Sequence, residues 1–108
     1  EGVMIVGSGN VVHNLRILDE AAGETERAST PWAQAFDDTV KQAMDAGDTR
    51  ALAEWELLTE GAATAVPFPD HYFPMLYALG AAQANEKPRH VYEGFHEGTL
   101  SMRCVQWG

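Results

Sequence analysis

Apolar and polar positions alternate along this chain in patterns that predict one strand, several helices and a terminal hairpin. Val3 to Val6 form a short unbroken apolar run. Such a run reads as a strand buried on both faces, as in a parallel sheet. Gly7-Ser8-Gly9-Asn10 reads as a tight turn, and Val11 to Leu18 as a loop and short helix. Ala21 to Ser29 is small and polar, with few apolar anchors, and reads as a surface loop. Thr30 and Pro31 open a helix well, as N-cap and first helical residue. Trp32, Ala35, Phe36, Val40, Ala43 and Met44 then recur at helical spacing, and Gly47 ends the run. Asp48 caps another helix, with Leu52, Trp55 and Leu57 or Leu58 turned inward and Glu60-Gly61 closing it.

Pro67-Phe68-Pro69-Asp70 is a stiff approach to a further helix through Met75, Leu76, Ala78, Leu79 and Ala82. Pro74 must lie in its first turn, because proline has no N–H to donate. Asp70 as N-cap would put His71 at the helix start. Beyond Pro88 the period changes to two. His90 to Phe95 and Thr99 to Trp107 read as strands around Glu97-Gly98. The expected class is therefore α/β: a buried parallel-type strand, several helices and a C-terminal β-hairpin.

The length, 108 residues, allows one small domain. The net charge of -9 makes a surface that repels phosphates, and the bases are scattered, so neither nucleic acid nor an anionic membrane is an expected partner. No stretch has the length of a membrane span, and no signal peptide is visible. The single cysteine, Cys104, excludes an internal disulfide and any paired-cysteine metal motif. This suits a reducing cytoplasm. Cys104 is expected as a packed thiol in a strand rather than a nucleophile. The chain begins almost directly on the Val3–Val6 strand, without an initiator Met, which suggests a cut end.

Candidate chemistry falls at two places. Gly7-Ser8-Gly9 after a strand could hold a phosphate, but Val12 occupies the third glycine position of a dinucleotide fingerprint, so nucleotide binding is a weak reading. His13 follows the strand's C-terminal end, where open α/β sheets place their sites. A histidine there can move protons near neutral pH. A lone histidine is more readily a capping or core-edge residue bonded to backbone. His71 lies between two prolines, a stiff setting suited to a metal ligand. Taken alone it reads first as an ordinary residue of the helix's first turn, behind Asp70 as cap. His90 and His96 lack ligand-spaced partners and read as strand histidines. Asp37-Asp38 and Glu54/Glu56 read as solvated helix faces.

Taken together, these motifs carry a resemblance. Residues 2–16, Gly-Val-Met-Ile-Val-Gly-Ser-Gly-Asn-Val-Val-His-Asn-Leu-Arg, resemble the GSGxxxHNL segment of class III (LigB-type) extradiol ring-cleavage dioxygenases, in the 4,5-DOPA dioxygenase branch. Pro69 to Ala81 is similar to that branch's second signature, and Gly98-Thr99-Leu100-Ser101-Met102-Arg103 to its final strand. Trp32 and Phe36-Asp37 suit the helix between the first two.

The resemblance implies a partial LigB-type fold, with residues 1–108 as the C-terminal portion of one catalytic domain. It implies ring opening of a DOPA-like catechol beside its diol, using O2 and one non-haem ion, Fe(II) or Zn(II). His13 matches the family's proton-transferring histidine. His71 matches one metal ligand. The remaining ligands are expected outside this chain, so the site is incomplete, and either self-association or a preceding N-terminal segment would complete it. The alternative is a truncated, non-catalytic binding or assembly module of the same descent.

Overall fold

The computed structural model describes residues 2–18 and 29–108. The long helix α1, Pro31–Ala46, starts where expected: Thr30 is extended and Pro31 occupies the first turn. The Thr30 side chain itself makes no cap hydrogen bond. The buried face is Ala33, Phe36, Asp37, Val40, Ala43 and Met44. Ala35, expected inward, faces solvent instead. The chain leaves α1 through Gly47, whose φ of 68° is left-handed and suits a residue without Cβ. Its N–H and that of Asp48 return to carbonyls of the last turn.

Asp48 then accepts a hydrogen bond from Ala51 N at 3.0 Å and starts α2, Thr49–Ala53. This helix is shorter than its pattern suggests. After Glu54 the chain tightens into a 3-10 turn, Trp55–Leu57, as Trp55 packs against the rings of Tyr72 and Phe73 at 5.3 and 5.6 Å. Leu58 packs on the core while Leu57 is exposed. A further short helix, α3, Ala62–Ala65, buries two small residues. Its alanines give almost no periodic signal, which is why the pattern does not reveal it.

The core is closed by Tyr72, which is fully buried and donates its hydroxyl to Leu52 O at 2.7 Å. Burial pushes this hydroxyl's pKa upward. Anchoring Tyr72 changes the local geometry around it. Pro69–His71 forms a 3-10 turn, and α4, Phe73–Ala81, begins only after Tyr72. Asp70 is therefore inside the turn rather than at the N-cap expected of it.

The terminal hairpin forms, but in two antiparallel pieces. β1, Arg89–Tyr92, pairs with β4, Cys104–Gln106, with a bulge between His90 and Tyr92. β2, Phe95–His96, pairs with β3, Leu100–Ser101. Glu97 and Gly98 both have positive φ in the turn between them.

The hairpin's inward face carries Ser101, Arg103, Val105 and Trp107. Cys104 consequently points outward and is exposed, contrary to the packed position expected for it. The reason is an ion pair. Arg103 is buried and clasps Asp37 of α1 with two hydrogen bonds, Nη2 to Oδ2 at 2.6 Å and Nε to Oδ1 at 3.1 Å. Ser101 Oγ donates to the same carboxylate at 2.5 Å. Asp37 is thus core, not a solvated face, whereas Asp38 does face solvent. Burial alone would lower the Arg103 pKa, but hydrogen bonds and charge from Asp37 and Glu93 outweigh it and leave it raised.

One expected element is absent. Val3–Val6 carries no strand assignment, and all four side chains are exposed. A strand exists only by pairing, and both ladders among the described residues are antiparallel and lie elsewhere. The run borders a groove of 640 Å³ shared with α4 and β4. The short helix expected in Val11–Leu18 is a single turn. The loop expected at Ala21–Ser29 lies outside the described residues, apart from Ser29. Among the described residues, no helix is long and apolar enough to cross a membrane.

Candidate active site

The segment Gly7–Asn14 has no regular structure, yet it is held on three sides. Asn10 N donates to His71 O at 3.0 Å, and His13 N donates to Ala65 O at 3.0 Å. Asn14 Nδ2 donates to Thr64 O at 2.8 Å, while its Oδ1 accepts from Arg16 N at 3.0 Å. On the hairpin side, Ser101 N donates to Val12 O at 3.1 Å and Asn10 Nδ2 donates to Ser101 O at 2.8 Å. Val11 and Val12 fill the space between.

The glycines make this close approach possible. A Cβ on Gly9 would lie 2.2 Å from His71 O, and one on Gly7 would lie 2.3 Å from Pro74 O. Both glycines therefore face the protein's own backbone, and no helix opens directly after them. This removes the structural basis for a phosphate cradle.

The outcome is a pair of histidines 58 positions apart in sequence whose rings stack. The His13 and His71 centroids are 3.6 Å apart and the planes 6° from parallel. Burial, then the neighbouring His71 charge, lowers the His13 pKa, and Asp70 only partly offsets this. A neutral His13 is a ready proton acceptor. His71 Nδ1 is buried without a hydrogen-bond partner, and Nε2 lies 3.9 Å from Asp70 Oδ2. A buried polar atom without a partner is uncommon and marks a place where another group fits.

The two histidines open onto different spaces. His13 lines a pocket of 220 Å³ with Asn14, Arg16, Phe68 and Asp70, whereas His71 borders the larger groove along Val3–Val6. The Arg16 guanidinium lies over the Phe68 ring, 5.9 Å from its centroid.

The donor set suits part of a metal site. His71 is rigidly placed on its turn and has an unpaired nitrogen. Among the described residues, no three His, Cys, Asp or Glu side chains are grouped to hold an ion. The residues present thus fit one ligand position and not a closed shell. His90, by contrast, belongs to the hairpin network: it contacts Asp45 through Nε2 at 2.7 Å and Arg103 through Nδ1 at 2.9 Å.

Sequence reasoning missed Asn10 and the pocket pair Arg16 and Phe68. Asn10 bonds both His71 and Ser101, and its only sequence signal was its place directly after the glycines.

Comparison with known proteins gives the family of the chain. Residues 1–103 match the family of the catalytic LigB subunit of aromatic ring-opening dioxygenase. Among curated relatives, the 4,5-DOPA dioxygenase extradiol of Escherichia coli K12 is 39% identical over the whole of this chain, which spans 40% of that relative's length. The protein of the same name from Beta vulgaris is 30% identical over 94% of this chain and 36% of its own. A crystal structure of an uncharacterized Escherichia coli K12 protein, JW3007, superposes with a TM-score of 0.80 at 37% identity, covering 94% of this chain and 41% of that one. The GSGxxxHNL segment, the His71 turn and the final strand all lie inside the matched region, and the chain belongs to the LigB family of aromatic ring-opening dioxygenases.

Proposed function

We propose that this chain is the C-terminal portion of an extradiol dioxygenase that opens a DOPA-like catechol beside its diol, with His13 as the proton-transfer residue and His71 as one metal ligand. The observation that carries this reading is the His13–His71 stack. Two imidazoles are brought into contact from distant parts of the sequence, one held neutral by burial and the other left with an unpaired ring nitrogen.

A divalent ion, Fe(II) or Zn(II), would supply Lewis acidity that eases deprotonation of a bound diol. The chain's own residues do the rest. His71 offers its ring from a turn bounded by prolines, which limits its motion. His13 accepts the hydroxyl proton and later returns it, and its lowered pKa keeps it receptive at neutral pH. Backbone hydrogen bonds at Asn10 and His13 hold the main chain beneath the two rings, and rigid placement of that kind favours proton transfer from a bound diol.

The chain spans about 40% of the curated relatives' length, and the remaining ligands are expected from a further segment or a second copy. The exposed Val3–Val6 run is the surface such a segment would cover. The alternative, a non-catalytic binding or assembly module, is favoured by one observation, the absence of a three-ligand group among the described residues.

The test is metal content together with catechol-dependent O2 consumption. His71→Ala should lose the metal. His13→Ala should keep it and lower turnover by about 10²- to 10⁴-fold. Metal retained at parental affinity in His71→Ala would remove the ligand assignment, and a parent protein without metal or O2 uptake would favour the module.

A further inference from the structure

Asn10 joins three parts of the chain at one residue. Its main-chain N–H donates to His71 O at 3.0 Å. Its side-chain Nδ2 donates to Ser101 O at 2.8 Å and to Met102 Sδ at 3.6 Å. A carbonyl and a thioether can only accept, so the amide must turn its NH2 toward the hairpin. The Ser101 peptide meets this segment at both ends. Its carbonyl takes the Asn10 amide, and its N–H donates to Val12 O at 3.1 Å. Together these bonds register the segment against β3. Without the amide, the segment can pivot on the Val12–Ser101 bond, and the end that swings is the one bonded to His71.

His13 is tied differently. Its N–H donates to Ala65 O at 3.0 Å, and Asn14 Nδ2 donates to Thr64 O at 2.8 Å. Both acceptors belong to α3, and neither bond runs through Asn10.

We infer that Asn10 is a positioning residue whose side-chain amide couples the terminal hairpin to the placement of the His71 ring. It acts through the His71 carbonyl and not on the reacting atoms. The His13 side of the pair keeps its own anchors, so loss of the amide displaces one ring relative to the other. The consequence for metal binding rests on the proposed ligand role of His71, whereas the placement of the ring does not. A ring already oriented by its surroundings meets an ion without first being ordered, and removing such support costs about 10- to 100-fold in metal affinity.

The experiment uses the complete protein. Asn10→Asp conserves size and the main-chain N–H but replaces the donor by an acceptor facing two acceptors. It should weaken Zn(II) binding, measured by competition with a chelator, about 10-fold. In the metal-free protein it should weaken the ring-to-ring nuclear Overhauser contacts between His13 and His71. At saturating Fe(II) most of the parent's kcat for catechol-dependent O2 consumption should return, because His13 stays in place. Asn10→Gln, which keeps a donating amide on a longer arm, should restore part of the affinity and of the ring contacts, and it carries the test should Asn10→Asp not fold. Met102→Leu removes the weak sulfur acceptor alone and should match the parent. Parental Zn(II) affinity and parental ring contacts in Asn10→Asp would overturn the inference, as would an Asn10→Gln variant no better than Asn10→Asp. A parent that binds no Zn(II) would remove the ligand reading of His71, and the ring contacts would still decide whether Asn10 positions that ring.

Discussion

Replacing Gly9 by alanine tests whether the histidine pair is set by backbone contact. The added methyl would lie 2.2 Å from His71 O, against 3.4–4 Å for ordinary contact. The obstacle is a carbonyl and not a flexible side-chain end, so the Gly7–Asn14 segment or the His71 turn must move by about 1 Å or more. Such a shift strains the 3.0 Å bond from Asn10 N to that same carbonyl. Overpacking of this kind costs about 1–3 kcal/mol. Loss of the hydrogen bond adds about 1 kcal/mol. A total near 3 kcal/mol lowers Tm by roughly 12–24 °C in a domain of about this size. The assays are thermal melting by circular dichroism and ring-to-ring nuclear Overhauser contacts between His13 and His71. Gly80→Ala is the control, since nothing lies within 4 Å of its Cβ. It should be neutral or raise stability by about 0.5–1 kcal/mol, because alanine is the better helix former. If Gly9→Ala melted within a few degrees of the parent and kept the ring contacts, the claim that glycine spacing sets the stack would fail.

Other residues give equally direct expectations. Asp37→Ala leaves the buried Arg103 guanidinium with Glu93 as its one remaining carboxylate and should cost about 3 kcal/mol in urea unfolding, the low end for breaking a buried pair; the paired replacement Asp37→Leu with Arg103→Met should be far milder, and a single variant no worse than the pair would contradict the buried ion pair. Glu93 accepts hydrogen bonds from Lys41 and Arg103, which lower its pKa from 4.5 to about 2. Between those values the folded state binds fewer protons than the unfolded one, so the contribution is complete above pH 4.5 and disappears as pH falls through about 2. Glu93→Gln should flatten the acid limb of the stability profile in that window, and an unaltered limb would count against the pairing.

Much of the helical layer is legible in the chain because its signals are local. Pro31 and Gly47 bound α1, and Asp48 caps α2, through backbone chemistry that needs no distant partner. The hairpin is legible from its period of two, but its inward face is not. The face carrying Ser101 and Arg103 is the more polar one, and only the carboxylate of Asp37, more than 60 positions earlier, makes it the buried one. The same pairing turns Cys104 outward and Asp37 inward, against the apolar pattern. Val3–Val6 fails for the converse reason. Its pattern describes a strand with neighbours, and no described segment pairs with it. The site divides in the same way. His13 and His71 stand out in the sequence through the motifs around them, whereas their contact depends on tertiary geometry that no spacing rule contains.

That geometry converges on Asn10. Its backbone N–H holds the carbonyl of His71, and its side chain holds the carbonyl of Ser101, whose own N–H returns to Val12, the residue before His13. Ser101 is in turn fixed by its hydroxyl on Asp37, the acceptor that also neutralises Arg103. A continuous set of hydrogen bonds therefore runs from α1 through β3 to the main chain at His71 and at Val12, next to His13. The buried ion pair is costly to desolvate and is weak evidence for stability by itself. Its consequence here is positional: it fixes the strand whose backbone sets the register of the His13 segment. The stack is thus held by main-chain and amide groups that do not titrate near neutral pH, so the placement of the two rings does not depend on a charge elsewhere in the site.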